Sequence, residues 1–176
     1  MDGGDPVAAK TQWTPLVPGG ANFATHRLVQ IDGTRAEMKK SGRLFLFGGV
    51  FLVVGLGISA VGAFKAGWAL MLFGVPFWVV GISVLWPRSL VFDSSARQFT
   101  GPKGPVPFSA IYALQIVKEH VTGSDTDFWS YELNLVLSDA SRINVVDHAD
   151  LALIRTHALK LSALIGCRVW DGGSPR

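Results

Sequence analysis

Two uncharged apolar runs stand in a chain that is otherwise mixed in polarity. Leu44–Phe64 reads LFLFGGVFLVVGLGISAVGAF, Trp68–Trp86 reads WALMLFGVPFWVVGISVLW, and Lys65, Ala66 and Gly67 join them. At ~1.5 Å rise per residue, each run is long enough to cross a ~30 Å hydrocarbon layer. A soluble core accommodates one helix that is apolar all round, hardly two in succession. The pattern predicts a transmembrane helical hairpin.

Small residues within it recur on one helical face. Gly48, Gly55, Ser59 and Gly62 follow at intervals of seven, four and three, and Gly74 and Gly81 lie seven apart on the second run. Such faces let helices approach closely in lipid, where no hydrophobic drive pushes them together. They predict packing of the two helices on each other, with a homodimer face as the alternative. Pro76 removes a helical hydrogen bond and predicts a bend in the second helix, which Pro87 ends. Trp68 and Trp86 bracket that helix as interfacial residues do.

On either side the period changes. Within residues 1–43, the first 25 are rich in Gly, Pro, Ala and Thr and predict an irregular arm, tacked onto the fold or the headgroup region by Trp13, Leu16 and Phe23. The alternative is that these three make the arm a peptide ligand for a partner. Residues 26–40 predict a β-hairpin turning at Asp32-Gly33. In residues 87–176, RSLVFD and RQFTG read as strands, Gly101–Pro107 as a loop, and Ile111–Val121 as a strand. TGSDTD is a connection. FWSYELNLVL then sets Trp129, Tyr131, Leu133, Leu135 and Leu137 on one face and Ser130, Glu132 and Asn134 on the other, before the short strand RINVV. A closing helix over residues 148–165, N-capped by Asp147, carries the buried stripe Leu151, Ile154, Ala158, Leu161 and Ile165, and Gly166 supplies its left-handed end.

The fold class is therefore an α+β membrane protein, a two-helix hairpin (44–64, 68–86) followed by an antiparallel meander of about five strands with a C-terminal amphipathic helix. That order of elements resembles small bacterial membrane proteins with a PH-like domain. The resemblance implies a bacterial plasma (inner) membrane location and a domain that binds phosphoinositides, peptides or proteins. A PH-like barrel has two more strands than the meander, and the 26–40 hairpin is the candidate to supply them.

Charge adds orientation. Residues 1–43 hold six Lys or Arg against four Asp or Glu, whereas residues 87–176 hold nine of each sign and so form no nucleic-acid footprint. Lys39, Lys40, Arg43, Arg88 and Arg97 outnumber Lys65 in the joint, which places both termini in the cytoplasm. The lone Cys167 suits a reducing space, and more than forty polar or mixed residues before the first run do not read as a cleaved leader.

Candidate chemistry is sparse. His26, His120, His148 and His157 lack ligand spacing, and His148 and His157, nine apart on the predicted helix, point to opposite faces. No phosphate loop, nucleophile elbow or intramembrane charge occurs, so neither a cofactor nor a catalytic residue is expected. The expected role is a non-catalytic, membrane-tethered interaction module or small accessory subunit, partnered by the bilayer and by another membrane protein or a second copy. The alternative is a lipid-headgroup binder using Lys39, Lys40, Arg43, Arg88, Arg97 and Lys103.

Overall fold

The computed structural model describes residues 4–87, 90–123 and 126–173. Arg88 and the middle of the TGSDTD connection lie outside the described residues. The protein is α+β, with two long apolar helical segments followed by antiparallel sheets. In chain order the elements are α1 (Pro6–Lys10), β1 (His26–Gln30), β2 (Arg35–Lys40), α2 (Gly42–Val61), α3 (Trp68–Phe73), α4 (Val75–Leu85), β3 (Val91–Asp93), β4 (Gln98–Gly101), β5 (Gly104–Pro107), β6 (Ile111–Val121), β7 (Phe128–Leu137), β8 (Arg142–His148), α5 (Leu151–Ile165) and β9 (Arg168–Asp171). They form two compact units, Lys40–Arg88 and the two flanks Met1–Lys39 with Ser89–Arg176.

The helical unit is an antiparallel hairpin. Ser41 caps α2 by accepting from the Leu44 N–H, and a π-helical turn over Gly62–Ala66 leads to Gly67, whose φ of 86° reverses the chain. The second apolar run is interrupted: α3 ends at Phe73, and α4 restarts after Gly74 with Pro76 in its first turn. Pro76 has no N–H and its ring opposes the carbonyl of Leu72, so the expected bend becomes a break. The two segments, Gly42–Lys65 and Trp68–Leu85, are 24 and 18 residues long and apolar enough to cross a membrane.

In the other unit β1-β2-β3-β4-β5 make one sheet and β8-β7-β6-β9 the second. Strand β2 pairs antiparallel with β3, Ala36 opposite Phe92, although the whole helical segment separates them in the chain. The core lies between the sheets and α5, where Phe92, Leu114, Leu133, Leu135, Ile154 and Leu161 are fully buried. Gly166 ends α5 at φ 83°, the left-handed conformation its spacing predicts.

Several local expectations are corrected. At residues 31–34 the Asp32 carboxylate, not a glycine at positive φ, makes the turn, accepting from the N–H groups of Thr34 and Arg35 at 2.7 and 2.8 Å. Part of the supposed loop is strand β5, because Pro105 and Pro107 occupy a sheet edge where no donor is needed. Strand β9 follows α5 and runs parallel to β6, so the sheet is not a pure meander. Helix α5 begins three residues later than expected: Asp150 is its cap, while Asp147 and His148 belong to β8. Trp129 leaves the buried face at the β7 end, 47% exposed, with the Lys118 ammonium 3.8 Å above its ring. The first 25 residues are not irregular throughout, since Asp5 caps the short α1.

Leu135 and Leu161 are wholly buried, so truncating either to Ala should destabilise this unit by about 2–5 kcal/mol, read by chemical unfolding. Trp129→Ala should cost less than either. Equal losses at all three would contradict the burial described.

Candidate interaction surfaces

The second sheet has two unlike faces. Beneath, Leu114, Ile116, Leu133 and Leu135 meet α5 and the first sheet. Above, cross-strand rows of polar residues, with Val117 the one apolar member, run over β6, β7 and β8: Gln115, Asn134 and Asn144 in one, Val117, Glu132 and Asp147 in the next, then Glu119 beside Ser130. The alternation in β7 reads as a solvated face, yet Ser130, Glu132 and Asn134 are 1%, 3% and 0% exposed.

The N-terminal arm covers them. Asp5 accepts from the Tyr112 hydroxyl and from Arg168, both at 3.0 Å. Burial alone would raise the Asp5 carboxyl, but the N–H groups of Ala8 and Val7, the Tyr112 hydroxyl and the Arg168 charge hold it below its ordinary 3.8. Gln115 donates to the Gln12 carbonyl at 2.9 Å and Arg142 to that of Thr14 at 2.7 Å. The Glu132 carboxylate accepts from Leu16 N–H at 2.8 and 3.0 Å and from Val17 N–H at 2.8 Å. Gly19 donates to Glu119 and Ala21 to Ser130, at 3.0 and 2.9 Å. Prolines at 15 and 18 remove donors, the chain bends at Leu16 and Val17 and turns at Pro18-Gly19, and four of the five N–H groups between Pro15 and Ala21 meet a side chain of the sheet.

Three carboxylates, those of Glu119, Glu132 and Asp147, share this face. Burial, then the neighbouring Glu132 charge, pushes Asp147 up to about 6, against a weak opposing bond from Asn144 at 3.3 Å. At its edge the Trp13 ring packs 6.0 Å from that of Trp170, with Gly172 close against it. Of the expected anchors, Trp13 and the Leu16 main chain thus do hold the arm to the fold.

A second constellation lies inside. With His148 on β8 and His157 on α5, the two rings approach to 5.2 Å, which overturns their assignment to opposite faces of one helix. Both are buried. His157 Nε2 accepts weakly from Leu28 N–H at 3.4 Å, while neither nitrogen of His148 has a hydrogen-bond partner among the described residues. Burial, joined by the charges of His157 and His26, lowers His148 to about 4; burial and then Lys160 lower His157 to about 4. Among the described residues no three His, Cys, Asp or Glu side chains assemble around a common point. Burial likewise pushes the Cys167 thiol up.

The six small residues of the hairpin face one another across it. Gly48 lies against Val84 and Leu85, Gly55 against Trp78, Gly62 against Met71, Gly74 against Ser59, and Gly81 against Leu52, while Ser59 donates to the Met71 carbonyl at 2.9 Å. Close approach is therefore used within the hairpin. The described basic candidates divide between the two units. Lys39 sits 4.0 Å from Glu37, Lys40 donates to the carbonyls of Val84 and Trp86 at the end of α4, and Arg43 is exposed in the first turn of α2. Arg97 and Lys103 are exposed in the turns at opposite ends of β4, roughly 13 Å of strand apart.

The arm-covered face was hidden from sequence because an alternating strand shows which residues are polar, not what lies on them. Its one signal was a Trp within a proline-spaced stretch. The chain matches no protein-family model and no curated protein sequence.

The histidine pair predicts acid lability. Above pH 6.5 both rings are neutral whether the chain is folded or not, and nothing is lost. Between 6.5 and about 4 the unfolded chain takes up two protons that the folded one refuses, so stability falls with pH. Asp147 works the other way between about 6 and 3.8 and offsets part of the loss. Unfolding measured across this range should show a slope that His148→Leu makes shallower, whereas an unchanged slope would contradict the pair's burial.

Proposed function

We propose that this chain is a bacterial inner-membrane protein whose helical hairpin anchors a PH-like domain, and that it acts as a non-catalytic interaction module or small accessory subunit of a membrane complex. One observation carries the membrane reading. The helices turn Gly48, Gly55, Gly74 and Gly81 inward and large side chains such as Phe45, Leu46, Val53, Phe64, Trp68 and Phe73 outward. A soluble helix pair does the reverse, since exposing such surface costs about 25 cal/mol per Å². Hydrocarbon is the medium that removes this cost.

Pairing of β2 with β3 supports two crossings, because both ends of the inserted segment must return to neighbouring strands. With Lys39, Lys40 and Arg43 before the first span and Lys65 in the joint, the charge balance favours cytoplasmic termini. The PH-like reading draws on two sheets, with β1 and β2 completing the first, packed around one core with helix α5. The interaction role draws on the outer sheet face, whose polar groups engage main-chain N–H and C=O groups, an arrangement suited to holding peptide. Within the sheet unit, the separation of Arg97 from Lys103 weighs against a headgroup site.

Alkaline carbonate should leave the protein in the membrane pellet. Reporters fused at residues 1 and 176 should read cytoplasmic, and one inserted at 65–67 external. Release by carbonate, or opposite sides for the two ends, would refute the anchor.

A further inference from the structure

We propose that the outer face of the β8-β7-β6-β9 sheet is a binding site for an irregular, turn-containing peptide segment of a second protein, and that residues 12–21 of this chain occupy it as a built-in stand-in. The proposal rests on the interaction-module reading and names the chemistry of the partner.

The hydrogen bonds between Gln12 and Ala21 run from sheet side chains to main-chain atoms. Gln115 and Arg142 donate to carbonyls, and Glu132, Glu119 and Ser130 accept from N–H groups. Main-chain groups belong to every peptide, so this face reads backbone donors and acceptors rather than one sequence. Two positions add selectivity. Trp13 packs on Trp170 and Gly172, and a Cβ at Gly20, whose φ is 44°, would collide with Ser130. A ligand therefore carries an aromatic anchor, two successive N–H donors beginning three residues later, and a glycine beyond them.

The face also tolerates being empty. Gln115, Ser130, Glu132 and Asn134 exchange peptide for water when uncovered, an exchange of hydrogen bonds that the apolar underside could not make. Beyond its link to β1 through residues 22–25 the arm is held by side-chain bonds, as far as Asp5 on Tyr112 and Arg168, and it pairs with no strand, so it can lift away without disrupting one. Asn134 Oδ1 is buried on this face with no hydrogen-bond partner among the described residues, an acceptor the arm leaves unused and a better-matched peptide fills.

The test uses the full-length protein in detergent and a fluorescently labelled synthetic peptide of residues 11–22. In the wild type the tethered arm competes at high effective concentration. A Trp13→Ala, Gly20→Val variant, whose own arm is unseated, should bind the peptide at least about tenfold more tightly. Adding Glu132→Ala should abolish that gain, because three bonds to a carboxylate are lost. Hydrogen exchange on the wild type gives a readout without any variant: the amides of Leu16 and Val17 should exchange well before those of Leu133 and Leu135. No binding to the unseated variant, indifference to Glu132→Ala, or equal protection of arm and core would make the arm a permanent part of the fold and overturn the proposal. A variant that dimerises and excludes the peptide would overturn it too, by assigning the face to a second copy. These measurements are read in detergent and are independent of carbonate extraction, so failure of one reading leaves the other standing.

Discussion

The pairing of β2 with β3 is the constraint on which the rest depends. Residues 41–90 separate the two strands, yet Glu37 lies opposite Val91 in the same sheet. Whatever fills that interval must begin and end at adjacent strands. Two antiparallel helices do so naturally, since their outer ends finish about one helix spacing of 8–10 Å apart. Glycines at the contact bring the helices closest, and Lys40 takes up the carbonyls left over at the end of α4. A flexible insert of equal length would return as well, but with its closure entropy unpaid by any packing.

Within the sheet unit the two faces of β6 and β7 exclude water by different means. The underside does it with apolar volume against α5. The upper face does it with a peptide whose donors match the acceptors beneath, so a glutamate that is 3% exposed remains fully bonded through Leu16, Val17 and Asn134. The bond from Asn134, at 2.5 Å, helps fix the carboxylate for the arm. The histidine pair is the contrasting case, two rings held neutral by burial, with three of their four nitrogens lacking a hydrogen-bond partner among the described residues. Polar burial is thus satisfied at Glu132 and Ser130, where the arm runs, and left unsatisfied at Asn134 Oδ1 and where β8 meets α5.

What the sequence determined by itself was whatever repeats locally. Two uncharged runs of about twenty residues, glycines on one face of each, the alternation of Leu133 and Leu135, and the 3-4-3-4 stripe of α5 each follow from the period of the backbone that carries them. Only the tertiary structure decided which segments meet. It joined β2 to β3 across the helices, recruited Arg168–Asp171 as a parallel strand, and gave Asp150 the cap that Asp147 had equal chemical title to, thereby moving His148 against His157. It also laid a proline-spaced arm over Glu132, where the alternation of β7 had implied solvent. The physical reason is the same in each case: a periodic pattern records which side of an element is apolar, whereas a contact between elements depends on complementary surfaces that no local period encodes, contributed in the arm's case by residues more than a hundred positions apart.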